Sequence, residues 1–285
     1  MVESGDELVL RVGAAQLGIV PSLGSAVDHW RLGALDILRP GRARSRDPLH
    51  LACFAMAPFS NVIDSGGLRF RGEFFPLVPN HPAEPLPIHG DAWLASWYVD
   101  HVSEVCAETH YAHEGKQGFP FAYLVRQQIQ LDKAALHIRL VLRNMDTRPM
   151  PAGLGLHPYF CKNHGTRLQA QHRGRWTDSG IAADKRFLLP DELPEAGIDD
   201  CFAGWTGFAQ LVGLNGGVQI AIQSSEVATA LVVYSPAGSD FVCVEPVSNV
   251  NDGINAFARG IPDTGVRVLE PGMSMELTTL IRVEA

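Results

Sequence analysis

Two residues of this chain combine a protonatable side chain with a backbone that their neighbours hold still. His157 stands in Gly153-Leu154-Gly155-Leu156-His157-Pro158-Tyr159-Phe160. The proline biases it toward an extended conformation and locks the chain just beyond it. An imidazole titrates near neutral pH, so it can both give and take a proton. Glu245 follows the apolar run Val242-Cys243-Val244 and is again fixed by a proline, Pro246. A carboxylate at the end of such a run is partly desolvated, which raises its pKa toward that of a useful base. A third segment, Pro87-Ile88-His89-Gly90, carries another imidazole among apolar or conformationally fixed neighbours. The chemistry open to this set is proton transfer. Taken singly, a histidine or glutamate of this kind is more often a hydrogen-bonded or solvated structural residue.

Other chemistries lack their residues. There is no G-x-S-x-G elbow, P-loop or H-E-x-x-H. Gly153-Leu154-Gly155 begins like a dinucleotide fingerprint but runs into Leu156-His157-Pro158 without a third glycine. The five cysteines, Cys53, Cys106, Cys161, Cys201 and Cys243, are odd in number, widely spaced and free of any C-x-x-C pair. They suggest neither a zinc knuckle nor a disulfide framework, and reduced thiols in the cytoplasm fit best. His110 and His113 lie three apart beside Glu114. In a β-rich segment that spacing puts the imidazoles on opposite faces, and a surface loop is expected rather than a metal site. No metal and no organic cofactor are expected.

The elements that must position these groups repeat every two residues. Leu136, Ile138, Leu140 and Leu142 alternate with His137, Arg139 and Val141, and Tyr123, Val125, Ile129 and Leu131 share a face of the preceding run. Asp132-Lys133 between them predicts an antiparallel hairpin. Met275, Leu277, Thr279, Ile281 and Val283 repeat the pattern near the end. Glycines (28) and prolines (19) punctuate short apolar runs throughout, while helical periodicity is scarce and no composition break marks a boundary. The expected fold is all-β, a large antiparallel sandwich forming one domain over residues 1–285. The formal net charge of -8 argues against nucleic acid as a partner. One dense basic run, Arg39, Arg42, Arg44 and Arg46, reads as a solvated loop or, less favoured, a grip for a sugar phosphate. Met1 to Val12 has the composition of no signal peptide, and no apolar stretch reaches the ~18 residues of a membrane helix, so no membrane partner is expected.

Taken together and in order, the segments resemble the aldose 1-epimerase family, the galactose mutarotases. Ala57-Pro58-Phe59-Ser60-Asn61 is similar to the family's early P-[YF]-[AS]-N stretch, and Ile88-His89-Gly90 to its H-G. Leu142-Arg143-Asn144-Met145 resembles its strand-ending Asn, and Gly155-Leu156-His157-Pro158-Tyr159-Phe160 its G-x-H-P-Y-F. Ile198-Asp199-Asp200-Cys201-Phe202, Val244-Glu245-Pro246, Asn255-Ala256-Phe257 and Leu269-Glu270-Pro271-Gly272 resemble its D-x-x-F, E-P, N-A-F and L-x-P-G. The resemblance covers nearly the whole chain. It implies a sugar bound in an open cleft on one sheet of a large β-sandwich. It implies that His157 is the general acid, Glu245 the general base, His89 a hydrogen-bonding partner near the ring oxygen, and Asp199 a ligand of sugar hydroxyls. Asn61 is expected to bind substrate as well.

One departure stands out. The family pattern continues from the early Asn as Arg-Ile, whereas here Asn61 is followed by Val62-Ile63. Arg69 and Arg71 are the near candidates for the missing cation, although they flank Phe70 as the solvent face of a strand would. Trp93, Trp97 and Tyr159 are candidates to stack on a sugar face, or equally to pack in the core. The reaction implied is exchange of sugar anomers without a cofactor. The other readings are a non-catalytic sugar-binding protein on the same scaffold, and a hexose-6-phosphate epimerase. The chain is expected to be a monomer or homodimer.

Overall fold

The computed structural model describes residues 7–42, 45–116, 118–183, 192–214 and 217–284. Alternation translates directly into strands. Ala122–Leu131 and Ala135–Asn144 pair antiparallel, with Leu131 opposite Leu136 and Tyr123 opposite Asn144, so the predicted hairpin forms around Asp132-Lys133. Tyr123, Val125, Ile129 and Leu131 are buried on one face. The polar member of that row, Gln127, is also buried and donates its amide to the Ser25 carbonyl at 2.8 Å, which removes most of the cost of its burial. Ser274–Glu284 lies along the other side of Ala135–Asn144. Its Met275, Leu277, Thr279 and Ile281 are buried as the period of two predicts.

Among the described residues, two large antiparallel sheets make the sandwich. One runs in the order Arg167–Ala170, Phe208–Val212, Gln219–Ser224, Ser274–Glu284, Ala135–Asn144, Ala122–Leu131, Cys106–Glu114 and Tyr98–Val102. The other begins with Leu8–Val12, Ala15–Val20, Ala26–Leu32 and Leu35–Leu38. It continues through Tyr159–Cys161, Phe241–Val247, Ala230–Pro236 and Gly197–Ala203 to the edge hairpin Gly174–Thr177 and Gly180–Ala182. Only Gly253–Ala258 is α-helical among the described residues. His110 and His113 fall within the strand Cys106–Glu114 rather than in the surface loop expected, and His113 is buried.

The strand Phe241–Val247 explains why its sequence is apolar without a break. Val242 and Val244 enter the main core between the sheets, whereas Cys243 and Val247 join a second apolar cluster with Phe54, Trp93 and Tyr159 on the opposite face. A strand covered on both faces has no position left for solvated side chains. Full burial of each valine contributes roughly 1.5–3 kcal/mol. Glu245 is the one carboxylate of this strand, and only 1% of its surface is exposed.

Two turns account for motif residues that hold the scaffold. Asn144, fully buried, donates to the carbonyls of Arg148 and Leu269 and accepts from the Asp146 amide. Asn255 accepts from the Arg69 amide and donates to Asp252 and to the Gly67 carbonyl.

Candidate active site

Strand register sets the floor of a cleft of about 420 Å³. One cross-strand row reads Asp199, Tyr234, Cys243 and Tyr159, and the next reads Cys201, Val232 and Glu245. Alternation therefore puts Asp199 and Glu245 on one face, within two rows of each other. His157 lies between the short strand Gly155–Leu156 and Tyr159–Cys161. Its amide donates to the Phe54 carbonyl at 3.0 Å. Its Nε2 stands 3.3 Å from Oε1 of Glu245, and both side chains are almost fully buried.

His157 is held by a stack. Its ring stacks on Phe54, at a centroid distance of 4.6 Å, and on Tyr159, at 4.7 Å. The Arg39 guanidinium sits 3.8 Å from the Tyr159 centroid and 4.7 Å from that of Phe241. Tyr159 therefore touches both His157 and Arg39 through its ring. Arg39 is further tied by Nη2 to the carbonyls of Leu49 and Leu51.

His89 is oriented from the opposite side. Its backbone amide donates to the Asn61 carbonyl at 2.9 Å, and the Asn61 amide donates to His89 Nδ1 at 3.2 Å. A ring nitrogen that accepts carries no proton, so the proton of neutral His89 resides on Nε2. Both residues have positive φ, 59° for Asn61 and 60° for His89. Left-handed backbone at two non-glycine residues costs about 1–2 kcal/mol each and persists only where surroundings over-determine it. Asn80 supplies part of that determination: its Nδ2 donates to the carbonyls of Ile88 and Gly90, and its Oδ1 accepts from the Ile88 amide. A Cβ on Gly90, also at positive φ, would overlap the Ala57 carbonyl, so the turn after His89 requires glycine. Substituting Asn80 by alanine is expected to free this turn and lower kcat on the order of 10-fold, with the protein still folded. Comparison of kcat with the thermal transition checks this, and unchanged turnover would show that the turn holds without Asn80.

Burial sets the protonation of the three groups. It pushes Glu245 well above the ordinary carboxylate range, with the Asp199 carboxylate adding to the effect. It holds His157 well below the ordinary imidazole range, with His89 and Arg39 reinforcing it. It lowers His89 to about 3. Both shifts within the His157–Glu245 pair favour the uncharged form of each member, and the two groups stand 3.3 Å apart. Oε2 of Glu245 and Nδ2 of Asn61 have no partner among the described residues, though both are buried. Each is a hydrogen-bonding atom left over for something in the cleft.

Asn61, His89, His157, Tyr159, Asp199 and Glu245 all line this cleft. Two of the expected residues do not. Trp97 is 1% exposed, donates Nε1 to the Ala92 carbonyl and stacks on Tyr111 within the main core. Arg71 is exposed and pairs with Glu270 at 3.2 Å. Trp93 forms a layer beneath the cleft, stacked on Phe54 at 5.2 Å and edge-on to His89. Arg39 and Arg42 line the cleft, with Arg42 facing His50 at 3.1 Å, while Arg46 is exposed and Arg44 lies outside the described residues. Another hollow, of about 610 Å³, holds the pair Asp91 and His113. There, however, His113 has both ring nitrogens engaged, one by Asp91 and one by the Phe119 carbonyl.

Comparison with known proteins places the chain in a family. A sequence profile of the family described as aldose 1-epimerase matches residues 8–282. The chain belongs to the aldose 1-epimerase family. YphB of Escherichia coli (strain K12) is 28% identical, over 95% of this chain and 97% of that protein. A crystal structure from E. coli K12, provisionally described as an aldose 1-epimerase, superposes with a TM-score of 0.86 at 26% identity, covering 98% of this chain and 99% of that one. A galactose mutarotase-like protein from Clostridium acetobutylicum shares the fold, with a TM-score of 0.82 at 17% identity over 97% and 94% of the two chains.

Within the aldose 1-epimerase frame, the motif residues divide into two groups. His89, His157, Asp199 and Glu245 face the cleft, whereas Asn144 and Asn255 lock turns. Val62, where the family pattern has an arginine, lines the cleft beside Ile88. Several residues were not legible as parts of the site. Asn80 is one. Asn249 is another: it exchanges hydrogen bonds with the backbone of Ser60 through Oδ1 and Nδ2, both at 3.0 Å, and so ties the segment bearing Asn61 to the end of the Glu245 strand. Neither has a spacing that marks it, because each acts on a segment distant in sequence. Glu84 also lines the cleft, with nothing in its neighbourhood to signal it. Arg39 did carry a signal, the basic run, though the stack it closes is a tertiary feature.

Proposed function

We propose that this protein is an aldose 1-epimerase that interconverts the α and β anomers of a free sugar by acid–base ring opening and closure. The observation that carries the reading is the buried His157–Glu245 pair, 3.3 Å apart at the cleft floor, whose shifts in pKa suit it to holding one proton between its members. Anomer exchange requires the C1 hydroxyl to lose a proton while the ring oxygen gains one, so a pair that shares a proton is matched to it. Transfer of that proton from Glu245 to His157 creates a carboxylate base and an imidazolium acid together, with no proton taken from solvent. Glu245 then accepts from the C1 hydroxyl and His157 donates to the ring oxygen. The aldehyde turns about C1–C2, and the roles reverse on closure. His89, with its proton on Nε2, supplies a neutral donor near the developing charge. Asn61 and Asp199 hold sugar hydroxyls. The five free thiols are in keeping with a cytoplasmic setting. Among the described residues no helix is long and apolar enough to cross a membrane.

Polarimetry of freshly dissolved α-anomers, across hexoses, pentoses, deoxysugars and uronates, tests the reading. Faster equilibration of at least one sugar is expected. Saturable binding with no acceleration would instead favour a sugar-binding protein on the same scaffold. The pH profile is a second test. A lowered His157 stays unprotonated until the pH is well under 6.5, and a raised Glu245 keeps its proton well above 4.5. The singly protonated pair thus spans neutrality, and kcat/KM is expected to be bell-shaped with its acid limb below 6.5. An acid limb at the ordinary imidazole value would show that the pair is not desolvated in the working enzyme.

One observation favours a second reading. Arg42 and His50 line the cleft although they are far in sequence from His157 and Glu245, which suits a phosphorylated sugar. Against it, Arg39 is committed to the Leu49 and Leu51 carbonyls, and Glu84 and Asp199 face the same space. Preference for a hexose 6-phosphate over the free hexose in the same assay would establish it.

A further inference from the structure

Cys243 is a buried thiol that proton transfer does not use. It lies two residues before Glu245 on the cleft face of the same strand. Its Sγ, a His157 ring nitrogen and a Glu245 carboxylate oxygen all lie within 4.8 Å of one another, and all three residues are buried. In a tetrahedral site with bonds of ~2.0–2.3 Å, donor atoms stand roughly 3.3–3.6 Å apart. The His157–Glu245 separation of 3.3 Å already meets that value. A second observation points the same way: Glu245 Oε2 is buried with no partner among the described residues, so the carboxylate has coordinating capacity to spare.

We propose that His157, Cys243 and Glu245 form a site for a thiophilic divalent cation of the Zn²⁺ class, and that occupancy of this site and turnover of sugar exclude one another. Thiolate, imidazole and carboxylate together select borderline-soft ions over Mg²⁺ or Ca²⁺. Three protein donors leave a fourth position open to the cleft. On binding, the metal–sulfur, metal–nitrogen and metal–oxygen bonds form while the thiol proton and the proton shared by the pair leave to solvent. The two negative donors then balance the charge of the ion, so the buried site becomes electrically neutral. The ion removes both proton carriers at once, which makes it an inhibitor rather than a cofactor.

The consequence for turnover rests on the mutarotase reading, but binding does not, so the first test is made without sugar. The full-length protein is titrated with Cd²⁺ and the near-ultraviolet thiolate-to-metal absorption is followed. One equivalent is expected to bind. The band should vanish in Cys243→Ser and persist in Cys53→Ser and Cys201→Ser, the other two buried thiols of the second cluster and its surroundings. Glu245→Gln should weaken binding by more than the ~10–100-fold that loss of an outer-shell partner costs. That variant keeps the question decidable should Cys243→Ser fail to fold. In the polarimetric assay, the turnover that Cys243→Ser retains should resist Zn²⁺, whereas that of the unaltered protein should be lost. Absence of the band, its persistence in Cys243→Ser, or unweakened binding in Glu245→Gln would overturn the site. A protein that binds Cd²⁺ through Cys243 yet accelerates no sugar would leave the site standing and overturn the mutarotase reading.

Discussion

Replacement of Glu245 by glutamine is expected to lower anomer exchange by ~10²–10⁴-fold while leaving the protein folded and, above about pH 4.5, more stable. Glutamine keeps the volume of the side chain and can still hydrogen-bond His157, but it can neither accept the C1 proton nor share one with the imidazole. The stability gain follows from the raised pKa of Glu245. Above the ordinary carboxylate value of 4.5 the unfolded chain ionises this group while the native site still holds its proton. Native stability is therefore lost as pH rises from there toward the folded pKa. An amide has no such titration, so the difference between variant and parent should grow with pH across that window. Polarimetry and denaturant unfolding at several pH values read the two effects separately. Full activity across the sugar panel would remove Glu245 as the base. His157→Gln is expected to cost a similar factor, and the double variant little more than either single one, because a pair that shares one proton works as a unit.

The largest effect on stability is expected at Asp91. Its carboxylate accepts from Tyr123 at 2.6 Å and Tyr111 at 2.8 Å, and it pairs with His113 Nδ1 at 2.7 Å. Nε2 of His113 faces the Phe119 carbonyl, also at 2.7 Å. An imidazole between two acceptors satisfies both only when it carries two protons. Burial opposes that charge, but the bond to Asp91, its charge and the Phe119 carbonyl outweigh burial, and the His113 pKa is raised. Asp91→Asn removes the compensating charge and leaves the imidazolium buried. Breaking a buried pair in this way typically costs ~3–5 kcal/mol. Because the Asp91 side chain is 22% exposed, roughly 2–3 kcal/mol is expected here. A raised pKa contributes its full stability below 6.5 and loses it as pH rises through the folded value. The gap between variant and parent should therefore be widest near pH 6 and narrow on the alkaline side. Urea unfolding over that range checks it, and a gap independent of pH would mean that His113 is neutral in the native state. Asp91 stands two residues after His89, so some loss of turnover is expected alongside.

Much of this protein was legible in its sequence. The alternation of Leu136, Ile138, Leu140 and Leu142 needs only neighbours to be read, because side-chain direction in a strand depends on position alone. The prolines at 158 and 246 likewise mark His157 and Glu245 through local backbone restriction. Trp97 and Arg71 were not placed correctly by the same means. Whether an aromatic ring meets the cleft or the core depends on which sheet covers it, and whether an arginine is free depends on a partner such as Glu270, far along the chain. Nor does alternation show that the Arg39 guanidinium would lie against the Tyr159 ring, since Arg39 reaches it only because the strand Leu35–Leu38 pairs with Tyr159–Cys161.

The sequence by itself determined the all-β period, the hairpin at Asp132-Lys133, and the identity of the residues able to move protons. Tertiary structure alone decided that His157 and Glu245 meet at 3.3 Å, that Cys243 lies beside them, and that burial shifts both away from their ordinary pKa values. The reason is physical. Periodicity and turn chemistry act between residues adjacent in the chain, whereas a pKa and a catalytic distance are set by desolvation and by partners that only sheet register brings together.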